Sequence, residues 1–245
     1  MNLPPEPKKK NFLVAEMFNR IAGRYDFLNR FFSAGTDVYW RKKAIHLLNL
    51  HPGFSLLDVA AGTADLSLEA CRQCDHLSVT GVDISEGMLA LGQKKIDKAG
   101  LSDVITLQIA AAESLPFQGG AFDAVMAAFG VRNFECLTAG LSEMLRVVKP
   151  GGKVMILEFS RPSRGLFRVC FDFYFRRIMP VLGRWVSSDK NAYTYLPDTV
   201  LSFPCGADFL SILKQCGYTC LDARPLTMGL VTIYTGMKPD ESSLH

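Results

Sequence analysis

Three short stretches of this 245-residue chain hold residue types that could grip a nucleoside. SLLDVAAGTAD (55–65) carries Asp58 within a short apolar run, then turns through small residues around Gly62. SVTGVD (78–83) ends on Asp83, and a later loop supplies Ala111, Ala112 and Glu113. An ionised carboxylate accepts two donors at once, so a strand-end Asp83 can hold both hydroxyls of a ribose. A strand turning tightly into a helix lets a ligand lie against bare backbone at the carboxyl edge of a sheet. A pyrophosphate needs the glycines of G-x-G-x-x-G, yet only Gly62 stands among Ala60, Ala61 and Ala64, and no Walker lysine follows. The turn therefore suits an adenosyl cofactor without phosphates that packs an amino-acid moiety there, and S-adenosylmethionine is the candidate. Asp58, Ala60, Gly62, Asp83 and Ile84 are its expected contacts, with 111–113 flanking the adenine.

The elements that must position these residues follow a regular alternation. Strands are expected at 55–59, 78–83, 104–109, 121–129 and over KVMILEF (153–159). Helices are expected near 64–74, from Ser85 as cap to Lys98 with Gly100 closing it, and from 137 to 148. Such alternation predicts a parallel, doubly wound sheet. ADFLSILKQCG then reads as a helix. YTCLDARPLTMGLVTIYTGMK reads as two strands around Thr227-Met228-Gly229, antiparallel because the turn is short. The expected fold is α/β, the class I S-adenosylmethionine-dependent methyltransferase fold, with a seven-stranded mostly parallel sheet and an antiparallel last strand. Before it, 12–33 has helical spacing interrupted at Gly23. Asp37 can cap a second helix that Pro52-Gly53 ends, with Trp40, Ala44, Leu47 and Leu48 inward and Arg41, Lys42 and Lys43 solvated.

Composition narrows the classes. A net charge of +3 is too small to argue for nucleic acid, and no 18-residue apolar run exists to span a bilayer. Mean hydropathy of +0.14 and 17 phenylalanines are compatible with a greasy partner. The N-terminus, Pro-rich and charged, reads as a frayed, solvated tail including Lys8, Lys9 and Lys10, not a signal peptide. The 7 cysteines are scattered, which fits free thiols in a cytoplasmic protein better than a zinc site at Cys71-x-x-Cys74.

YDFLNRFFSAGTDVYWRK, RVVKPGGKVMILEFS (146–160) and FGVRN (129–133) resemble segments of the ubiquinone/menaquinone biosynthesis C-methyltransferases. The first two are long and specific, and the resemblance runs from about Phe18 to Lys238. It implies S-adenosylmethionine-dependent C-methylation of a polyprenylated quinol, a demethylmenaquinol or a methoxy-benzoquinol. It places cofactor contacts at Thr63, Asp83, the Ala111-Ala112 pair and Ala128. The chain departs from the family pattern at Ala61, Ala64, Ala111 and Ala128. The Ala111 change removes a side-chain partner for the adenine amino group and leaves the backbone N–H of Ala112.

A phenolate pushes charge onto the adjacent ring carbon, so such an enzyme must stabilise the phenolate and align the carbon with the sulfonium methyl. Arg132 is expected to lower the phenol pKa or to assist deprotonation through water, and Asn133 to orient the hydroxyl. Tyr25, Asp26 and Asn29 are expected to close the pocket. Replacing Arg132 by Ala is expected to cut turnover with the fold and cofactor affinity intact.

The expected organisation is a helical cap over 1–50, a cofactor-binding core over 51–160 and a substrate lid over 161–205. Residues 206–245 complete the sheet. The lid would turn Phe167, Phe171, Phe173, Tyr174 and Phe175 to a prenyl tail and arginines such as Arg176 and Arg177 to lipid phosphates. That predicts peripheral contact with the inner face of a membrane; self-association stays open. The competing readings are a methyltransferase for another acceptor, a cofactor-binding protein that has lost catalysis, and, for want of glycines, a weakly supported NAD-dependent reductase.

Overall fold

The computed structural model describes residues 7–33, 35–162, 168 and 199–240. The chain opens with helices α1 (Pro7–Phe32) and α2 (Thr36–Leu48). Strand β1 (Ser55–Val59) leads through the small-residue turn into α3 (Asp65–Gln73), then come β2 (Ser78–Asp83), α4 (Glu86–Ala99), β3 (Ile105–Ile109) and β4 (Phe122–Ala128). A short 3-10 turn (Val131–Asn133) precedes α5 (Leu137–Val147) and β5 (Val148–Phe159). Beyond the undescribed segment lie α6 (Ala207–Gln215), β6 (Thr219–Leu226) and β7 (Val231–Met237).

All strands join one seven-stranded sheet in the order β3-β2-β1-β4-β5-β7-β6. The first five pair in parallel, while β7 runs antiparallel to both β5 and β6. Strand order reverses direction between β1 and β4, which is where an open α/β sheet leaves a crevice for a ligand. The pleat sends successive residues to opposite faces, so Leu56 packs with Trp40, Leu66 and Ile96 from α2, α3 and α4. Leu57 packs with Leu141, Met144, Phe209 and Leu213 from α5 and α6 on the other face. Ser85 accepts from the Met88 N–H at 3.2 Å, and Gly100 closes α4 at φ 67°, as its left-handed position requires.

Several expectations need correction at the N-terminal side. Helix α1 is unbroken from Pro7 through Gly23, so 7–11 are no frayed tail; residues 1–6 lie outside the described residues. Pro7 fits the first helical position, and the ~0.5–1 kcal/mol that Gly23 costs is outweighed by burial of Val14, Met17 and Ala22. Asp37 does not cap α2. The helix starts at Thr36 behind Gly35 (φ 77°), and Asp37 is buried in its first turn. It ends at Leu48, where Asn49 turns left-handed (φ 52°), ahead of Pro52-Gly53. Strand β5 begins at Val148, which already pairs with Phe122, and the Pro150-Gly151-Gly152 turn is absorbed as an irregularity before Lys153 meets Ala124. The expected lid falls almost wholly outside the described residues. Among the described residues, no helix is long and apolar enough to cross a membrane.

Candidate active site

The β1 turn is built from left-handed backbone. Ala60, Gly62 and Ala64 have φ of 58°, 55° and 62°, and Phe129 at the end of the adjacent β4 has 56°. Such conformations cost non-glycine residues ~1–3 kcal/mol each, and they gather where a site is held in shape by its surroundings. At Gly130 a Cβ would fall 2.4 Å from the Ala60 Cβ, so a residue without one lets the two strand ends meet. Asp83 is fastened from both sides. The Gly62 N–H donates to its Oδ2 at 2.9 Å and the Ser85 N–H to its Oδ1 at 2.8 Å. Burial raises its carboxyl above the usual range, and these N–H groups pull the other way.

Two chambers open on this turn. The first, about 590 Å³ including its open mouth, is walled by Asp83, Ile84, Met88, Ala112, Asn133 and Phe134 among others. The second, about 390 Å³, is walled by Asn29, Arg41, Asp58, Thr63 and Asp65. Tyr25, Ala60, Gly62, Ala128 and Phe129 belong to both, so the chambers are the two ends of one cleft. Among the described residues the first chamber has no lysine or arginine in its wall, and it carries the acids Asp83 and Glu113. A pyrophosphate would find no counter-charge there, whereas an adenosine attached to a cation meets carboxylates. The residues fit an adenosyl sulfonium in this respect.

Asp58 faces the second chamber at 1% exposure, and the Ser67 hydroxyl donates to its Oδ2 at 2.6 Å. Burial pushes its carboxyl up to about 7, with the Ser67 hydrogen bond opposing and the Asp83 and Asp65 charges adding to the rise.

Helix α1 crosses the cleft and is fastened along its length. Lys10 donates to the Phe134 carbonyl at 2.6 Å, which replaces the expectation of a solvated lysine run at that residue. Asn19 Oδ1 accepts from the Ser85 hydroxyl at 2.7 Å and the Gly87 N–H at 2.9 Å, serving the exposed donors at the start of α4. Asp26 accepts from the Thr63 hydroxyl at 2.7 Å and pairs with Lys95 at 2.6 Å. Asp26 thus lines neither chamber and works as a fastening. Tyr25 lines both, its ring edge-on to Phe18 at 6.0 Å. Burial raises the Tyr25 phenol, while Arg132 and the Asn29 hydrogen bond pull it down. The phenol is therefore a hydrogen-bond donor at neutral pH.

Of the sequence-expected residues, Tyr25, Asn29, Asn133, Asp58, Ala60, Gly62, Thr63, Asp83, Ile84, Ala112 and Ala128 meet in the cleft. Ala111 is not in its wall. Arg132 is not either: its side chain is 4% exposed and paired at 2.7 Å with Glu158, itself fully buried. Its Nη1 also donates to the Phe129 carbonyl, and the guanidinium sits over the Phe159 ring at 5.3 Å. Arg41 was read from sequence as part of a solvated basic face; it is buried and lines the second chamber. No local signal separates it from the exposed Lys42 and Lys43, because its burial comes from the elements packed around it.

The fold and this two-ended cleft define the class I S-adenosylmethionine-dependent methyltransferase fold. The same fold occurs in the [4+2]-cyclase SpnF, with TM-score 0.69 and 18% identity, over 93% of this chain and 95% of that one. It also occurs in phosphoethanolamine N-methyltransferase 2 of Haemonchus contortus in complex with S-adenosyl-L-methionine. There the TM-score is 0.61 and the identity 15%, over 82% of this chain and 52% of that one. The chain belongs to the ubiE/COQ5 methyltransferase family, whose profile matches residues 6–238. It is 46% identical to the ubiquinone/menaquinone biosynthesis C-methyltransferase UbiE of Geobacter sulfurreducens, over 94% of this chain and 90% of the relative. It is 42% identical to the demethylmenaquinone methyltransferase of Bacteroides fragilis, over 94% of both chains.

Proposed function

We propose that this chain binds S-adenosylmethionine in the cleft and methylates a ring carbon of a polyprenylated quinol, a demethylmenaquinol or a methoxy-benzoquinol. Family membership across residues 6–238 carries the reading, and the first chamber, without a lysine or arginine among its described wall residues, supports it. When bound, the cofactor supplies an electrophilic methyl group. Transfer of that methyl to a ring carbon would leave the neutral thioether, and the ring proton it displaces would pass to water. Asp83 would hold the ribose hydroxyls, and the Ala112 stretch the adenine. Tyr25 and Asn133 would orient the acceptor, Tyr25 by donating to its oxygen while the ring carbon gains charge.

Arg132, sealed against Glu158, is in this reading a positioning residue. It holds the carbonyl of the left-handed Phe129 and the 3-10 turn that presents Asn133. Residues 1–50 would serve as the cap and 51–160 as the core. The 161–205 segment would meet the prenyl tail and the surface of a membrane. The test is incubation with labelled S-adenosylmethionine and a set of demethylquinols under reducing conditions. Label in the quinol product supports the proposal, and its absence across the set in a folded, cofactor-binding sample defeats it.

A further inference from the structure

Asn133 and Phe134 reach the first chamber from a short crossing between β4 and α5, and that crossing is strung between two carboxylates. At its start Glu158 accepts from the Arg132 N–H at 3.3 Å and pairs with the Arg132 guanidinium at 2.7 Å. At its end Oε1 of Glu113 accepts from the Glu135 N–H at 2.6 Å and the Cys136 N–H at 3.3 Å. Helix α5 has no acid in its first turn, and Cys136 makes no side-chain cap. Glu113 brings a negative charge to that helix start from the loop after β3, where the helix dipole favours one. The crossing is held from other sides too. Lys10 of α1 donates to the Phe134 carbonyl at 2.6 Å, and a Cβ at Gly140 of α5 would fall 2.4 Å from the Phe134 ring. Glu113 also stands in the wall of the first chamber, next in sequence to Ala112. One side chain therefore ties the stretch around Ala112 to the backbone that carries Asn133 and Phe134.

We propose that Glu113 is a positioning residue: it sets the spacing between the 111–113 loop and the Asn133–Phe134 wall, and with it the alignment of the acceptor ring with the cofactor's methyl group. The proposal rests on the function given above, in which the loop holds the adenine and Asn133 orients the acceptor. Methyl transfer needs the ring carbon, the methyl and the sulfur in line, and an error of about 1 Å in such an approach costs up to about 100-fold in rate. The two ligands are held by elements that are not neighbours. In the sheet β2 and β1 lie between β3, which leads into the loop, and β4, which leads into the crossing. Strand pairing fixes the spacing only through those intervening strands, whereas the Glu113 hydrogen bonds span it directly. The task needs reach and an acceptor oxygen, not a charge. A neutral amide of the same length can perform it, and a carboxylate one methylene shorter cannot.

The experiment compares Glu113→Gln, which keeps the reach and loses the charge, with Glu113→Asp, which keeps the charge and loses the reach, and with Glu113→Ala. The whole chain is assayed with labelled S-adenosylmethionine and a demethylquinol under reducing conditions, at a temperature where thermal melting shows each protein folded. Calorimetric titration gives the affinity for S-adenosylmethionine. Glu113→Asp and Glu113→Ala should lose about 10- to 100-fold in kcat, with cofactor affinity kept within about threefold. Glu113→Gln should stay within about threefold of the parent in both. Amide exchange at Glu135 and Cys136 should quicken in Glu113→Asp and Glu113→Ala and not in Glu113→Gln. Should Glu113→Ala not fold, the other two decide. Parent-like turnover in Glu113→Asp overturns the proposal. With Glu113→Gln inactive, that result marks the carboxylate as a proton acceptor instead. Cofactor affinity that falls in step with turnover makes Glu113 a cofactor contact and also overturns it. A folded parent that labels no demethylquinol overturns the proposed function itself, and the proposal with it.

Discussion

Two buried arginines flank the same turn, and they are committed in opposite ways. Arg132 is sealed with a private partner: it and Glu158 are 4% and 0% exposed, and the pair lines neither chamber. Arg41 is shared between Asp37 and Asp65, is 10% exposed, and stands in a chamber wall. A sealed ion pair contributes shape, because each charge is satisfied only while the other stays in place. An arginine in a cavity wall can reach a ligand. Burial alone does not distinguish the two positions, but access to the cleft does.

The largest effect should come from the sealed pair. Removing one member leaves the other charged and buried, so Arg132→Ala should lose about 3–5 kcal/mol of folding stability. This revises the sequence-based expectation of an intact fold. Urea denaturation measures it, and Arg132→Leu combined with Glu158→Leu should recover most of the loss. An Arg132→Ala protein as stable as the parent would erase the contrast. Next, the Asp37→Asn, Arg41→Gln protein should bind S-adenosylmethionine about 10-fold more weakly by calorimetric titration while losing less stability than Arg132→Ala. Loss of stability without loss of affinity would make the two arginines alike.

A smaller effect involves pH. Asp58 faces Ser67 and Asp65 of α3, Asp83 of β2, and across the chamber Arg41 of α2 and Tyr25 of α1. With its carboxyl pushed up to about 7, it is largely protonated at pH 6 and gains only above it the charge that would favour a cationic cofactor. Affinity for S-adenosylmethionine should therefore rise between pH 6 and 8, by up to about tenfold, and level off above. Titrations in Asp58→Asn should be flat over that range; an unaltered slope would assign the titration to another group. The sign for folding is opposite. A carboxyl raised above its unfolded value binds more protons in the folded state. The ligand-free protein should thus be more stable at pH 4 than at pH 7 by this group's contribution. The smallest change is Asn19→Ala, which removes the acceptor for Ser85 and Gly87. It should cost about 1 kcal/mol, with faster amide exchange in α1 and the first turn of α4 as its signature.

What the sequence revealed and what it hid divide along the same line. Strands β1 to β4, the Ser85 cap and the Gly100 stop were legible, because an apolar run or a capping residue acts within its own few positions. The place of Asp83 in the cleft wall was legible for the same reason: an acid ending a strand beside a small-residue turn is a local pattern. Arg41 and Asp37 were misread because three basic residues in a row look solvated on any helix. The elements packed against α2, β5 and α3 above all, decide which of the three is covered. Arg132 stood next to Asn133 in sequence and shared its expectation, yet adjacent residues on a tight turn point different ways. Asn133 reached the cleft and Arg132 reached Glu158, which no local pattern paired with it.

Helix α1 has a further consequence, for the time order of assembly. It leaves the ribosome before any of its partners exist. The groups that fasten it belong to Thr63, Ser85, Gly87, Lys95 and Phe134, all made later. During synthesis this helix must therefore wait, undocked, until the first four strands have emerged and packed. This helix, made ahead of β1, can be seated only after β4 has emerged, and the cleft acquires its cover only after its floor has been laid.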